Sequence, residues 1–209
     1  MKLQITKYGK AEKGIAYLVG KPCLSGATEN MELLIESLLQ KYKITHPRFG
    51  KMDRLSQLGF TLADMVLQNT KLSEKHNPYQ LGIVLSNSAS SLDTDKKYWE
   101  SVSSIPSPGL FVYTLPNIVL AEISIKNNFK GENYFFVSEK PDCRLLFYHI
   151  SEMLHNKRLD ACLGGWVEVL NDQYNAFIFL VEKDQPNAIM EFTEENISTL
   201  YNTTPLWNS

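Results

Sequence analysis

The first third of the chain contains two stretches in which apolar residues recur at helical spacing. Over 29–42 they return at intervals of three and four, which places them on one face of a helix. Thr28 is the predicted N-cap of this helix, and acidic Glu29 suits its positive end. A second stripe predicts a helix over 53–69. Each helix therefore has one face that packs against the rest of the protein.

Short segments rich in β-branched and aromatic residues, bounded by glycine and polar residues, predict the strands. The predicted strands are 3–8, 15–19, 81–85, 134–137, 159–163, 167–170 and 176–182. The pair Gly164-Gly165 separates the fifth of these from the sixth.

Two more helices are predicted between these strands. Pro116 fits the first turn of a helix that runs to about Asn127, and Pro141-Asp142 opens a helix that runs to about 156. The residues after 85 form a predicted Ser-rich loop, and the signal weakens after Pro186. Strands that alternate with helices indicate βαβ units. The predicted fold class is therefore α/β, with a mixed, mostly parallel sheet covered by helices on both faces.

Composition narrows the class of protein. The chain has 209 residues, 44% of them apolar, and no repeat or linker, which predicts a single domain over 1–209. Lys and Arg number 21 against 23 Asp and Glu, so no basic surface is expected to attract nucleic acid. No apolar run could span a bilayer and no signal peptide is evident, so we expect a cytoplasmic protein.

Few side chains are candidates for binding a metal or a cofactor. The three cysteines are too widely spaced for a disulfide framework or a zinc site, and motifs for nucleotide binding, metal binding and serine nucleophiles are missing. Asp93 and Asp95 are predicted to cap a loop. We therefore expect no cofactor and no metal.

Four stretches between about 50 and 170 resemble, in order, the N-terminal half of a β-ketoacyl-acyl-carrier-protein synthase, a thiolase-fold enzyme. They are KMDR at 51–54, GIVL at 82–85 with its following loop, SPGLFVYTLPNIVLAEISIKNNFKGEN at 107–133, and DACLGG at 160–165. The third matches a block that lies near the dimer contact and the acyl channel of that family. The resemblance implies a half of the thiolase fold.

The chain departs from that family at the nucleophile. The family places a cysteine in a small-residue turn where a helix begins, since the helix N-terminus favours the thiolate. Counting from Gly131 and from Gly165 puts Lys140 at that position, or Glu139 with a shift of one residue. Neither residue forms an acyl thioester. Cys143 comes three residues later, beside Asp142, and is only a weak catalytic candidate.

The family's histidines belong to a C-terminal half that would roughly double the chain, and we expect that half to be absent. The four histidines are predicted to lie in loops or on the polar face of the 142–156 helix; they are His46, His76, His149 and His155. That helix has only one apolar face, which is typical of a half-fold that stands alone. Five aromatic residues line either a pocket or the core; they are Phe111, Tyr113, Phe135, Phe136 and Phe147.

The resemblance and the missing nucleophile together favour a non-catalytic partner subunit, comparable to a chain-length factor. Its expected partners are a full-length ketosynthase, an acyl carrier protein or both, in fatty-acid, aryl-polyene or polyketide-type biosynthesis. A dimer, with itself or with another subunit, is expected through the strand at 134–137. Two alternatives stay open. One is an acyl-transfer enzyme that uses Cys143, or Lys140 with a lowered pKa, and the other is a stand-alone acyl-chain binding module.

Overall fold

The computed structural model of the chain describes residues 2–25 and 29–203, and these form one mixed sheet with helices on both faces. The strands are β1 (Leu3–Glu12), β2 (Ile15–Leu18), β3 (Lys21–Ser25), β4 (Leu81–Asn87), β5 (Asn133–Val137), β6 (Ala161–Leu170), β7 (Gln173–Lys183) and β8 (Met190–Glu191). The helices are α1 (Met31–Tyr42), α2 (Arg54–Leu67), α3 (Leu72–Lys75), α4 (Leu92–Val102), α5 (Pro108–Val112), α6 (Ile118–Asn127), α7 (Cys143–His155) and α8 (Glu194–Asn202). Single 3₁₀ turns occupy Phe49–Lys51 and Pro78–Gln80.

The sheet has the strand order β3-β2-β1-β7-β6-β4-β5, and β8 pairs with β1. β4 runs parallel to β5 and to β6, whereas the other five described pairings are antiparallel. The predicted mixed α/β sheet is therefore confirmed, but the prediction that it is mostly parallel is wrong. The error arises because β6 and β7 are joined by a tight turn and β1 pairs with β7, so no helix crosses between these strands.

The core has two layers, one on each face of the sheet. α1, α2 and α6 cover one face, and α7 and α8 cover the other. β7 is buried on both sides, so alternate residues along it enter different layers. Ala176, Ile178 and Leu180 pack with α2, whereas Phe177, Phe179 and Val181 pack under α7 and α8.

The ends of the early helices depend on caps. α1 begins at Met31, because the side chain of Asn30 accepts a hydrogen bond from the Leu33 amide at 2.8 Å. The predicted cap, Thr28, lies outside the described residues. In α2, Asp53 is the N-cap and accepts from the Ser56 amide at 2.9 Å.

The later helices begin and end close to the predicted positions. α7 follows Asp142, which caps it as the sequence indicates, and it buries one apolar face. α6 begins at Ile118, so Pro116 lies before the helix and not in its first turn, contrary to prediction.

Several elements differ from the sequence prediction, among them β6, α4 and α8, and the short elements β3, α3, α5 and β8 were not predicted. β6 runs unbroken through Gly164 and Gly165, where a break was expected. α4 occupies part of the predicted Ser-rich loop, so Asp93 and Asp95 lie in the first turn of a helix. α8 was not predicted, because most of its residues are polar and only Ile197 and Leu200 are buried. No helix among the described residues is long and apolar enough to cross a membrane.

Candidate functional site

The junction between β5 and α7 holds the residues that the sequence singled out. It is fixed at the end of the parallel strands, because the Ser138 amide donates to the Asn87 carbonyl of β4 at 2.9 Å. The Ser138 hydroxyl donates to the Lys140 carbonyl at 2.9 Å. Asp142 then closes the first turn of α7 by accepting from the Leu145 amide at 2.9 Å. The loop is therefore a defined turn at the carboxyl edge of the sheet.

Glu139 and Lys140 lie at the outside of this turn, and both are exposed. Across the described part of the chain, neither side chain takes part in an ion pair or a hydrogen bond. Activation of a lysine by desolvation requires an apolar pocket, and the Lys140 side chain is exposed instead.

Cys143 is the first residue of α7 and is half-buried against α8. Burial raises the pKa of its thiol, and the nearby carboxylates of Asp142 and Glu194 raise it further. A hydrogen bond with Ser198 opposes this shift only in part. The thiol is therefore held protonated, whereas a nucleophilic cysteine is recognised by a lowered pKa.

A groove of about 920 Å³ runs over this junction, between the turn and α8. Four acidic side chains line it, against two basic ones; they are Glu139, Asp142, Glu194 and Glu195, with Lys140 and Arg144. Among the described residues, no cluster of His, Cys, Asp or Glu is arranged to hold a metal ion. The groove is polar and unlike the apolar channel that an acyl chain would occupy.

The five aromatic residues considered as a pocket lining are distributed over both layers. Tyr113 and Phe135 pack in the layer of α1, α2 and α6, whereas Phe136 and Phe147 pack in the layer of α7 and α8. Phe111 is 59% exposed. These side chains do not come together around one cavity, and four of the five are packed into the two core layers.

The histidines are also dispersed. His46 was expected in a solvated loop, but its side chain is only 6% exposed and its Nε2 atom lies 3.7 Å from the carboxylate of buried Glu122. His149 packs against Phe136, with ring centroids 4.7 Å apart. His76 lies 3.7 Å from Asp160, and His155 contacts the Ser151 carbonyl. No two histidines of the described chain meet at the β5–α7 turn.

The outer edge of β5 is the second feature of this region. Among the described residues, β5 pairs with β4 alone and ends the sheet. The Glu132 carbonyl and the Ser138 amide bond to β4, so by alternation the backbone groups of Asn133, Phe135 and Val137 point outward. On the α7 side, Tyr134 and Phe136 stack with ring centroids 6.0 Å apart.

Apolar side chains are exposed on the elements that precede this edge. α4, α5 and the segment after each present large residues to solvent; they are Trp99, Val102, Ile105, Phe111, Val112 and Leu115. Exposed apolar patches of this kind mark interaction surfaces. Separately, a smaller groove of about 490 Å³, lined by Pro116, Leu120 and Asn133 among others, lies between α6 and β5. We call β5 and this groove the β5 surface.

The position of β5 at the edge of the sheet depends on strand order, which local sequence patterns do not carry; only the family resemblance had indicated 134–137 as a pairing strand. The sequence did single out the KMDR stretch at 51–54, and in the structure its residues hold helices in place. Asp53 caps α2 and contacts α4, while Arg54 bonds to Glu32 of α1 and to the Asn171 carbonyl in the β6–β7 turn. The stretch thereby ties three helices to the sheet.

Comparisons with known proteins agree with this architecture. The family model described as "Beta-ketoacyl synthase, N-terminal domain" matches residues 35–180. No curated protein sequence matches the chain. The predicted ketosynthase resemblance and the thiolase-like half-fold are confirmed.

Several solved structures share the fold at low sequence identity. The ishigamide ketosynthase/chain length factor is 13% identical with a TM-score of 0.63, over 91% of this chain and 64% of that one. A ketosynthase in complex with its chain length factor from Xenorhabdus doucetiae is 11% identical with a TM-score of 0.59, over 89% and 81%. A type II polyketide acyl-carrier protein complex with its ketosynthase is 15% identical with a TM-score of 0.62, over 87% and 62%. The chain thus spans about two thirds of the length of the first of these.

Proposed function

This chain belongs to the β-ketoacyl synthase N-terminal domain family, and from that premise we propose that it is a non-catalytic partner subunit. In this proposal it resembles a chain-length factor, pairs with a full-length ketosynthase, and serves fatty-acid, aryl-polyene or polyketide-type biosynthesis. An acyl carrier protein is the second proposed partner, since it brings the growing chain to the ketosynthase.

The observation that carries the proposal is that Lys140 is exposed, as is Glu139, and these are the two residues to which the sequence count assigns the family's nucleophile position. An amine in water does not replace a thiolate at a helix N-terminus, because the family reaction passes through a thioester. The nearest thiol, Cys143, is held protonated by burial and by two carboxylates. Acyl transfer by Cys143 or Lys140 therefore lacks an activated nucleophile.

The β5 surface supports the pairing part of the proposal. Outward backbone groups at three residues of β5 offer hydrogen bonds to a strand of another subunit, as in β-strand addition. The exposed side chain of Val137 would then be covered. Structures of this fold include a ketosynthase in complex with its chain length factor, and that assembly is the basis for naming a ketosynthase as the partner.

Purified chain and full-length ketosynthases from the same cell provide the test. We expect one ketosynthase to bind, and we expect Val137→Lys to weaken that binding at least tenfold, because a lysine on a strand edge opposes pairing. Leu33→Lys is the matched control, because Leu33 is exposed on α1, away from β5, and this variant should bind as the native chain does. Equal binding by both variants would remove the β5 surface from the proposal.

The enzymatic alternative has its own test. A Lys140→Ala, Cys143→Ala double variant should leave product formation by the reconstituted system unchanged. If the double variant still binds the ketosynthase but the system loses activity, the result would support the alternative in which Lys140 or Cys143 transfers the acyl group.

A further inference from the structure

A row of side chains follows the outer edge of β5 on its α7 face. Successive side chains of a strand point to opposite faces, so Glu132, just before β5, shares this face with Tyr134 and Phe136. The rings of Tyr134 and Phe136 are 6.0 Å apart between centroids and 7° from parallel. The ring of His149 from α7 packs against Phe136 at 4.7 Å. A partner that covers this edge therefore meets two parallel rings and one carboxylate.

The carboxylate of Glu132 is paired from outside the strand. Arg158, in the loop between α7 and β6, donates through one guanidinium nitrogen to both oxygens of Glu132, at 2.9 and 3.0 Å. A second nitrogen of the same guanidinium pairs with Glu152 of α7. The backbone amide of Arg158 donates to the Met153 carbonyl at 3.0 Å. Arg158 thereby joins α7 to the start of β5.

Tyr134 is held by the same carboxylate. Its hydroxyl donates to Glu132 at 2.7 Å, and this hydrogen bond raises the pKa of the phenol. The side-chain polar groups of Glu132 and Tyr134 are thus already paired, either with each other or with Arg158. An apolar surface suits such a row, because a polar group placed against it would lose its water without gaining a partner.

The ion pair matters differently in the free chain and in a complex. The side chains of Arg158 and Glu132 are 42% and 33% exposed, so water solvates both charges and the pair adds little to folding stability. When a partner covers the edge, a Glu132 carboxylate without Arg158 would lose its water and oppose association. The contribution of Arg158 is therefore expected in binding and not in folding.

We infer that Arg158 is a positioning residue of the β5 surface, which acts through Glu132 to hold Tyr134 in the row and to present that row, without an unpaired charge, to an apolar surface of the partner. The inference rests on the proposed function, since it takes the ketosynthase as the protein that covers β5. It adds the residue outside the strand that prepares this edge and the chemistry that the partner places against it.

Binding to the ketosynthase that pairs with the native chain tests how Arg158 acts. We expect Arg158→Ala to weaken the affinity about tenfold, because it leaves a carboxylate unpaired in the complex. Arg158→Ala combined with Glu132→Gln should regain most of the native affinity, since that charge is then absent. Lys51→Ala, which removes an exposed positive charge between α1 and α2, is the control and should bind as the native chain does.

Two results would overturn the inference and leave the proposed function standing. One is an Arg158→Ala chain that binds the ketosynthase as tightly as the native chain. The other is a double variant that binds as weakly as Arg158→Ala, because Arg158 would then contact the partner directly and would not act through Glu132.

The titration of Tyr134 tests the same contacts in the chain alone. NMR of isotope-labelled tyrosine follows the phenol, and Tyr134→Phe identifies its signal. We expect Glu132→Gln to lower the raised pKa of Tyr134 towards the ordinary value, and Lys51→Ala to leave it unchanged. An unchanged pKa in Glu132→Gln would overturn the inference. The expected shift in a chain that binds no ketosynthase would overturn the proposed function, while the positioning of Tyr134 through Glu132 would stand.

Discussion

The hydroxyl of Thr94 donates a hydrogen bond of 2.8 Å to Oδ2 of Asp53 and so joins α4 to the N-terminus of α2. The other oxygen of the same carboxylate caps α2. Burial raises the pKa of Asp53, whereas hydrogen bonds from Ser56 and Thr94 lower it in part. One buried carboxylate therefore fixes α4 against the start of α2.

Replacing Thr94 with Val should remove this bond and leave Oδ2 buried without its donor. We expect a loss of about 1–3 kcal/mol in the free energy of unfolding, measured by urea denaturation. Thr45→Val, at an exposed threonine, is the control and should change stability little. Equal unfolding free energies for the two variants would contradict this role for Asp53.

The thiol of Cys143 should react slowly with iodoacetamide at neutral pH, because its pKa lies above the ordinary value and only the thiolate reacts. Mass spectrometry of the alkylated peptide as a function of pH gives the rate. Glu194→Gln removes one of the charges that raises this pKa and should accelerate the reaction at pH 7. Glu195→Gln, one residue along α8, should not. Equal alkylation rates for both variants would contradict the contribution of Glu194 to the raised pKa.

Tyr113 should contribute to unfolding at alkaline pH. Its hydroxyl donates to buried Glu122 at 3.0 Å, and burial together with that carboxylate raises its pKa to about 12. Since the unfolded phenol ionises near pH 10, the stability from this group is complete below pH 10 and is lost as pH rises toward 12. Tyr113→Phe should therefore lose less stability over that interval than the native chain. If the free energy of unfolding falls equally with pH in the native chain and in Tyr113→Phe, the raised pKa of Tyr113 does not contribute to alkaline unfolding.

Gly165 of β6 pairs with Ile178 of β7. A Cβ built there would lie 2.2 Å from the Phe177 carbonyl oxygen, so the strands would have to separate. We expect Gly165→Ala to cost about 3 kcal/mol in the free energy of unfolding, or to prevent folding. Gly109→Ala in α5 meets nothing closer than 3.8 Å and should be tolerated. A Gly165→Ala chain as stable as Gly109→Ala would mean that β6 relaxes freely.

The sequence predicted those elements whose local pattern and tertiary burial coincide. α2 and α7 were found because each buries one apolar stripe on the sheet. α4 was not found, because its only buried residue is Thr94 and its large residue Trp99 is 77% exposed. β6 was divided at Gly164 because glycine disfavours strands, yet the ring of Phe179 and the backbone of Phe177 occupy the space that side chains would need at Gly164 and Gly165.

The candidate site was predicted only in part, for a topological reason. Counting from Gly131 and from Gly165 was enough to single out Lys140, because both glycines belong to motifs that lie near it in sequence. The structure places Lys140 in the turn between β5 and α7. The open edge of β5 and the burial of His46 against Glu122 depend on strand order and helix packing across the chain. No local pattern carries that information, so the β5 surface required the structure.

Whether this chain is a partner subunit is decided by the mass of the complex that the native chain forms with the ketosynthases and acyl carrier proteins of its own cell. We expect a defined hetero-oligomer that contains one full-length ketosynthase and that is lost with Val137→Lys but kept with Leu33→Lys. Recovery of this chain alone, with no ketosynthase at any concentration tested, would contradict its role as a partner subunit.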